Sequence, residues 1–485
     1  MFKRIMAASL ATAMTASLAA CGDKTTPAPE ASAPVDSTEA SSEAGTDETT
    51  VEEVPEVEQM TALTDADGNV YDLGGMEVVI RDWWYTEPEN YPSNAYEEAE
   101  QEYRDWIQET YNFTIRRECS LEWGDPATEE LTNYVSTGGD DNNYVFALTP
   151  MASTTSAVQS GMMYDLATLD CLDFTESKFV NKVHELYGKA GSIYAMATGA
   201  GEPRCGIFFN KRLLEEANID PESIYDMQAN GTWTFEAWEN LCKQVHRDTN
   251  NDGEIDVYAV NANDGNMINQ AVWSNGGEYV GKDADGNYIL KLEDPKTMEG
   301  LEFAMNILNN YWEKEPEDAA WDYYKESFVN GNYVFLPEEG WATTAFLQDS
   351  EDDWGFVMFP KGPQMSDYTN VWNDNLYVIP ACYDADKAWK IAFAYNLYTN
   401  EVPGYEDYEG WKDGEYNKFR DMRSVDETIA MMRVKGDIAL DGVIPKLERG
   451  PQFIWNLWPG ADLAATIEGV KDTWQSYLDE ANAAK

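Results

Sequence analysis

One segment in the middle of the chain limits the possible folds more than any other. Residues 201–217 read Gly-Glu-Pro-Arg-Cys-Gly-Ile-Phe-Phe-Asn-Lys-Arg-Leu-Leu-Glu-Glu-Ala, a Gly/Pro loop, a short apolar run and the start of a helix. Ile207, Phe208 and Phe209 suit a strand that is buried on both faces. Gly and Pro permit or fix unusual backbone angles ahead of it. We therefore expect a chain crossing between two lobes and, because a helix follows the strand, a parallel sheet.

The same segment carries a family resemblance. Residues 209–214 (Phe-Asn-Lys-Arg-Leu-Leu), followed by Thr-Trp-Thr-Phe-Glu-Ala-Trp at 232–238, resemble motifs of the extracellular solute-binding proteins of bacterial ABC importers, in the family that binds sugars and oligosaccharides. Stretches 160–166, 273–278, 328–335 and 354–363 resemble later motifs of that family in the same order. The resemblance implies an α/β fold of two lobes, each a sheet flanked by helices, joined by a multi-strand hinge. It also implies ligand capture without catalysis.

The N-terminus predicts export and lipidation. Lys3 and Arg4 precede an apolar run that ends Leu-Ala-Ala-Cys-Gly, which is typical of a signal peptide and resembles the bacterial lipoprotein signal. We expect cleavage before Cys21 and acyl chains on its sulfur, which would hold the protein on the outer face of a membrane. Residues up to about 60 contain almost no basic or aromatic residues and predict a disordered acidic tether.

The periodicity of the remaining chain gives its organisation. Strands are predicted at 76–80, 112–115 and 143–148, and helices at 94–110 and 462–484, the last with one apolar stripe. Together with the resemblance, this predicts the following division: 1–20 signal peptide; 21–60 lipidated cysteine and tether; 61–200 and 378–436 lobe 1; 201–377 and 437–485 lobe 2.

The charge balance excludes one class of partner. The chain has a formal net charge of -56, which argues against binding to nucleic acid, because a phosphate backbone is held by Lys and Arg. The acidity of the predicted cleft also argues against anionic sugars such as uronides as ligands, but it does not exclude a cationic or amino-sugar ligand. We expect a monomer with an oligosaccharide ligand, and the resemblance implies the membrane subunits of an ABC permease as partners.

Aromatic residues next to acids and amides suggest where a sugar binds. A flat apolar ring can cover the C–H face of a sugar, while carboxylates and amides bind its hydroxyls. Of Trp83 and Trp84 we expect only one to face the cleft, and we favour Trp84, because neighbours on an extended chain point to opposite sides. In the resembled family, ligand-binding aromatics lie near the positions that match Trp341 and the C-terminal pair, and a hinge carboxylate lies close to Glu202. The predicted ligand-binding residues, about half of which we expect to touch ligand, are Asp82, Trp83, Trp84, Glu122, Trp123, Glu202, Trp273, Trp341, Trp372, Asn373, Asp374, Trp455 and Trp458.

Residues 248–256 resemble the beginning of a calcium loop. Oxygen-bearing side chains occupy positions one, three and five, a glycine occupies position six and an aspartate position nine, but Ala259 replaces the glutamate expected at position twelve. The predicted ligands of a structural calcium are Asp248, Asn250, Asp252, Glu254 and Asp256. The alternative interpretation is an Asx-rich turn ahead of a strand. No cofactor is required by the predicted function.

Two other functions remain open at this stage. A secreted glycoside hydrolase needs only two carboxylates roughly 5 to 9.5 Å apart, and the chain has 89 acidic residues. A glycan-binding lipoprotein without a transport partner would show the same aromatic pattern. The sequence lacks the Gly-x-Ser-x-Gly and His-Glu-x-x-His motifs of other enzyme classes. Residues 276–282 match Gly-x-x-x-x-Gly-Lys, but Asp283 follows where a phosphate-binding loop has Ser or Thr. We therefore expect a binding protein rather than an enzyme.

Overall fold

The computed structural model describes residues 57–86, 91–179, 183–189, 191–199, 205–372, 375–406 and 408–483. The predicted signal peptide, Cys21 and most of the predicted tether lie outside these ranges. Val57 and Met60 pack against the core of the first sheet. The folded body therefore includes the last residues of the segment predicted as tether. None of the helices in these ranges is long and apolar enough to cross a membrane.

The strands and helices alternate through most of the chain. The strands are β1 (Met76–Asp82), β2 (Phe113–Cys119), β3 (Asn143–Leu148), β4 (Gly188–Lys189), β5 (Ser192–Ile193), β6 (Gly206–Asn210), β7 (Tyr258–Val260), β8 (Val280–Lys282), β9 (Tyr288–Leu290), β10 (Tyr333–Glu338), β11 (Trp354–Met358), β12 (Asn370–Trp372), β13 (Leu376–Val378) and β14 (Gly436–Ile438).

The helices are α1 (Ala95–Tyr111), α2 (Asp125–Ser136), α3 (Ala152–Gln159), α4 (Val183–Leu186), α5 (Lys211–Glu216), α6 (Glu222–Ala229), α7 (Phe235–Val245), α8 (Asp264–Ser274), α9 (Pro295–Tyr311), α10 (Tyr323–Val329), α11 (Ala342–Ala345), α12 (Ala385–Tyr398), α13 (Trp411–Tyr416), α14 (Ala430–Val434), α15 (Arg449–Gln452) and α16 (Leu463–Ala483). The predicted helices at 94–110 and 462–484 correspond to α1 and α16. Asn94 caps α1, because its side chain accepts a hydrogen bond from the backbone N–H of Glu97.

The first sheet has the strand order β13-β3-β1-β2. Strand β1 is parallel to β2 and β3, whereas β13 is antiparallel to β3. Val145 and Phe146 are adjacent on β3 but belong to different apolar clusters, since successive side chains of a strand point to opposite faces. Both faces of this sheet are therefore covered.

The second sheet has the order β11-β6-β10-β7 and corrects one sequence-based expectation. Strand β6, which contains the Ile-Phe-Phe run, is buried at every residue as predicted, but it is antiparallel to both of its neighbours, β10 and β11. The expected parallel pairing occurs instead between β7 and β10. A helix after a strand does not determine the direction of the strands beside it, so the inference from β6 and α5 was wrong.

At least four segments among the described residues pass between the two sheets or their cores. One lies between Tyr408, which packs against the first core, and Trp411, which packs against the second, and three others are as follows. The first leads from Met196, which pairs with Tyr377 of β13, to β6 and includes undescribed residues. The second joins β12 to β13, and β12 forms a short parallel pair with β14. The third follows β14. Its residues alternate between the two cores, because Ile438 packs against a cluster of the first sheet and Leu440 against that of the second.

Both cores draw on distant parts of the chain. Helix α12 contributes to the core of the first sheet. Phe419, Val425, Ile429 and Met432 lie in the core of the second sheet, together with Trp474 of α16. The predicted boundaries between the lobes, including the one at residue 436, stay a prediction.

Candidate functional site

The carboxyl ends of β1 and β2 meet at one edge of the first sheet, because the two strands are parallel. The backbone N–H groups of Ser120 and Leu121 both donate to the carbonyl oxygen of Asp82 at 2.9 Å, which joins the loop after β1 to the loop after β2. We call the two loops, residues 83–86 and 120–124, the first edge. Trp84 and Trp123 belong to it and are 40% and 64% exposed.

Asp82 holds the loop that carries Trp84. Its carboxylate is fully buried and accepts hydrogen bonds from the backbone N–H groups of Trp84 at 3.2 Å and Tyr85 at 2.9 Å. The guanidinium of Arg117 donates to the same carboxylate at 2.6 Å and lies 5.2 Å from the centre of the Trp84 ring. Asp82, predicted as a ligand residue, therefore contacts the turn and a cation rather than solvent.

The two neighbouring tryptophans of this loop differ in their surroundings. Trp83 is partly buried and packs against a core cluster of the first sheet, whereas Trp84 faces solvent. Their ring centres lie 4.6 Å apart with the planes at 63°, so the edge of one ring meets the face of the other. Glu122 is exposed next to Trp123. The first edge thus presents two indole rings and a carboxylate to solvent.

A second edge forms where the parallel strands β7 and β10 end. We use the name second edge for residues 261–266 after β7 and 339–341 after β10. Trp341 is 36% exposed, and its indole N–H donates to the Glu339 carboxylate at 3.0 Å. The side-chain amide of Asn266, in the first turn of α8, donates to the carboxyl of Glu338. These contacts tie the loop after β7 to the loop after β10.

Glu338, the last residue of β10, is a buried acid at the second edge. It is fully buried, and it accepts hydrogen bonds from the Tyr324 hydroxyl at 2.9 Å and from the backbone N–H of Glu339 at 2.9 Å. Burial, reinforced by the charge of Glu339, raises the pKa of Glu338 to about 8. The acid is therefore mostly protonated at neutral pH and adds no full negative charge to the second edge.

The C-terminal tryptophans lie on a loop beside the second edge. Trp455 and Trp458 are 65% and 55% exposed. Ile454, which precedes Trp455, lies 3.5 Å from the position that a β-carbon on Gly265 would occupy. The loop that presents Trp455 therefore adjoins the start of α8.

Trp273 is not brought to this edge. It lies in the last turn of α8, about 12 Å along the helix axis from Gly265, and it packs partly buried against the second core. The guanidinium of Arg449 lies 5.0 Å from the centre of its ring. One face of this indole is thus covered by a protein cation.

The remaining predicted ligand residues cannot be placed as side chains. Trp372 ends β12, which leads to the first edge through β13, since Leu376 pairs with Leu148 at the end of β3. The Trp372 side chain, Asn373, Asp374 and Glu202 lie outside the described residues.

The loop at 248–256 is closed by its own hydrogen bonds. Asp248 accepts from the backbone N–H groups of Asn251 at 2.6 Å and Gly253 at 2.8 Å, and Asp256 accepts from the N–H and hydroxyl of Thr249. Among the residues that the structure describes, no group of three or more His, Cys, Asp or Glu side chains could hold a metal ion. Calcium at this loop, with Asn250, Asp252 and Glu254 as further ligands, stays a prediction.

The sequence reasoning missed Trp321 and Lys325. Trp321 is 77% exposed in the segment before α10, and the ammonium of Lys325 lies 5.2 Å from its ring centre and 5.5 Å from that of Trp341. Trp321 lies in an acid-rich loop without periodicity, next to no motif. Its only sequence signal is a large aromatic residue in a polar stretch.

The protein has two sheets joined by several connections, with exposed aromatic residues at strand ends. This arrangement is that of a two-lobed solute-binding protein. Residues 170–395 match the family model described as bacterial extracellular solute-binding protein. The matched family is the one that the sequence motifs resemble.

Solved structures of low identity share the fold. UgpB from Mycobacterium tuberculosis, in complex with glycerophosphocholine, has a TM-score of 0.56 at 15% identity, covering 84% of this chain and 99% of that one. Lmo0181 from Listeria monocytogenes, an ABC substrate-binding protein in complex with cycloalternan, has a TM-score of 0.53 at 15% identity, with 84% and 99% covered. MalX from Streptococcus pneumoniae, in complex with maltopentaose, has a TM-score of 0.51 at 15% identity, with 84% and 100% covered.

These comparisons fix the class and leave the ligand open. The fold is that of the periplasmic-binding-protein-like proteins, and the matched family and these neighbours are binding proteins rather than enzymes. One of the neighbours holds glycerophosphocholine and two hold glycans, so the fold alone does not select a sugar. No sequence among the curated proteins compared matches this chain.

Proposed function

We propose that this protein is the membrane-anchored substrate-binding component of an ABC importer and that it captures a neutral oligosaccharide. The observation that carries the proposal is the set of exposed indole rings at both edges: Trp84 and Trp123 at the first, Trp341 at the second, and Trp455 beside it. A glycan with apolar C–H faces can cover such rings, while Glu122 and Glu339 can accept its hydroxyls.

The topology supports capture by closure of one lobe on the other. Strand β13 begins next to the end of β3 at the first edge, and β6 begins opposite Glu338 at the second. The connections therefore attach on the side of each sheet that carries the exposed rings. A ligand that touches both edges stabilises the closed arrangement by its differential affinity for it. Micromolar binding requires about -8 kcal/mol in total.

The charge of the chain favours a neutral ligand. The overall charge is -56, and Glu122 and Glu339 stand beside the exposed rings. An anionic sugar would meet like charges at both edges. Glu338 adds little to this negative charge, because its raised pKa keeps it mostly protonated at neutral pH.

Delivery and anchoring complete the proposal. Lipidation of Cys21 and a tether would keep the binding domain close to the permease on the extracytoplasmic face, and the closed, loaded form would be the one that the permease recognises. The protein would act as a monomer and require no cofactor. A glycoside hydrolase is the alternative. The most perturbed acid at the second edge, Glu338, is fully buried and holds three hydrogen bonds, which does not favour it as a proton donor to a glycosidic oxygen.

The test is binding of neutral oligosaccharides to the purified full-length chain. A ligand at a hundred times its dissociation constant adds about 2.7 kcal/mol to stability and raises the melting temperature. We expect at least one glycan to do so, to give a dissociation constant by calorimetry and to be recovered unchanged. Trp84→Ala and Trp455→Ala should each weaken binding. Met422→Ala should not, because Met422 is exposed, and the adjacent Asp421 binds Lys211 at the opposite end of β6.

Two results would contradict the proposal. If no glycan of the panel binds, the ligand class is wrong. If a glycan binds and is cleaved, the protein is an enzyme of the alternative class.

A further inference from the structure

Trp321 is the most exposed large apolar residue among those described, with 77% of its surface open to solvent. It precedes α10 and packs into no core cluster. A single exposed apolar side chain needs no explanation by itself, whereas an exposed ring close to another can serve a ligand or a partner. The position of the Trp321 ring relative to the second edge favours a ligand over a partner protein.

Lys325 connects Trp321 to the second edge. Its ammonium lies 5.2 Å from the centre of the Trp321 ring and 5.5 Å from that of Trp341, so the two ring centres are no more than about 11 Å apart. The same ammonium forms an ion pair with Asp322 at 3.2 Å. These attractions favour one arrangement of three long side chains that would otherwise sample several.

We propose that Trp321, Lys325 and Trp341 form an outer subsite for further sugar units of a chain whose inner part binds between the edges. This inference rests on the proposed function. Trp341 is shared between the second edge and the outer subsite, so a single oligosaccharide can touch both rings without a break. Lys325 and Asp322 stand beside the rings as a hydrogen-bond donor and an acceptor for hydroxyls.

The outer subsite makes the ligand an extended oligosaccharide rather than a mono- or disaccharide. Inner sugar units contact both lobes, whereas units at Trp321 contact only the second. Their contribution therefore adds to affinity with increasing chain length. A short ligand would not reach Trp321, and its affinity would not depend on that residue.

The experiment measures affinity against chain length. Ladders of malto-, β-1,4-gluco-, β-1,4-manno- and xylo-oligosaccharides, from two to seven units, are titrated by calorimetry into the full-length chain and its Trp321→Ala, Trp321→Phe and Lys325→Met variants. For the ladder that binds, we expect Trp321→Ala to weaken the longer members by about two- to tenfold, the range for one aromatic contact, and to leave the shortest member unchanged. Trp321→Phe should restore most of the loss, because it keeps a ring.

The outcomes separate the two proposals. If no ladder binds to the wild type, the proposed function fails and the outer subsite with it. If the wild type binds but Trp321→Ala has equal affinity at every length, the outer subsite is refuted while the proposed function stands. Equal weakening at every length would also refute it, because Trp321 would then act on the inner site.

Discussion

Replacing Glu338 by glutamine should remove most of one specific pH dependence of stability. The pKa of this carboxyl is about 8 in the folded protein, against an ordinary value of 4.5. The folded state therefore holds a proton that the unfolded state releases between these pH values. The stabilisation linked to this proton is fully present below pH 4.5 and is lost as the pH rises through about 8.

The size of the effect follows from the two pKa values. Between pH 5.5 and 7.5 the linked stability falls by about 2.5 kcal/mol, since each pKa unit corresponds to about 1.4 kcal/mol. In the Glu338→Gln variant the amide cannot titrate, yet it can still accept from Asn266 and the Glu339 N–H and donate to the Tyr324 hydroxyl. The variant should therefore lack this slope and still fold.

The assay is urea unfolding at pH 5.5, 6.5 and 7.5, followed by tryptophan fluorescence. Contributions from other acids cancel when the wild type is compared with the variant at each pH. Wild type should lose about 2.5 kcal/mol relative to Glu338→Gln across this range. Glu302→Gln serves as the control for the substitution itself, because Glu302 is an exposed acid on α9. Parallel pH profiles of wild type and Glu338→Gln would refute the neutral state of this acid.

Three further predictions concern other parts of the chain. Arg117→Met leaves the buried Asp82 carboxylate without its cation and should lower the free energy of unfolding by about 3 kcal/mol, measured by thermal or urea unfolding. A loss below about 1 kcal/mol would mean that the Arg117–Asp82 ion pair does not hold the loop of Trp84. Gly300→Ala should destabilise the protein by about 1–3 kcal/mol, because the added β-carbon would lie 2.6 Å from the Cα of Val272 where α8 packs on α9. The control Gly469→Ala on α16 should be neutral or stabilising, because its β-carbon would meet nothing within 4 Å. Equal effects of the two substitutions on stability would contradict the close contact between α8 and α9. If calcium binds at residues 248–256, adding calcium should raise the melting temperature of the wild type but not that of the Asp252→Ala variant. Equal melting temperatures of the wild type in calcium and in chelator would contradict the calcium prediction.

Local sequence patterns were sufficient to predict most elements but not their pairing. The apolar run at 143–148 coincides with β3 at both ends, because a buried strand bounded by polar residues is recognisable from its own residues. The direction of β6 was mispredicted, since it is determined by β10 and β11, which lie more than a hundred residues further along the chain.

The candidate site was predictable only where a residue's exposure follows from its neighbours in sequence. Trp84 and Trp123 lie in the loops that follow β1 and β2, and both are exposed at the first edge. Asp82 looked equally suitable, but its partner Arg117 is 35 residues away, and no local pattern reveals such a pair. Trp321 was missed for the converse reason: it approaches Trp341 only through Lys325, a contact between a loop, a helix and a strand end.

The antiparallel pairing of β13 with β3 has a consequence for biosynthesis. Leu376 pairs with Leu148, and α12 fills the core of the same sheet, so the first sheet needs a strand and a helix made long after its other three strands. Until then β3 presents an unpaired edge and an open apolar face, and both can pair incorrectly or aggregate with other chains. Pairings so distant in sequence also close slowly. If the chain passes through a membrane before residue 376 has been made, the first sheet cannot yet be complete. This part of the chain would therefore stay unfolded during export.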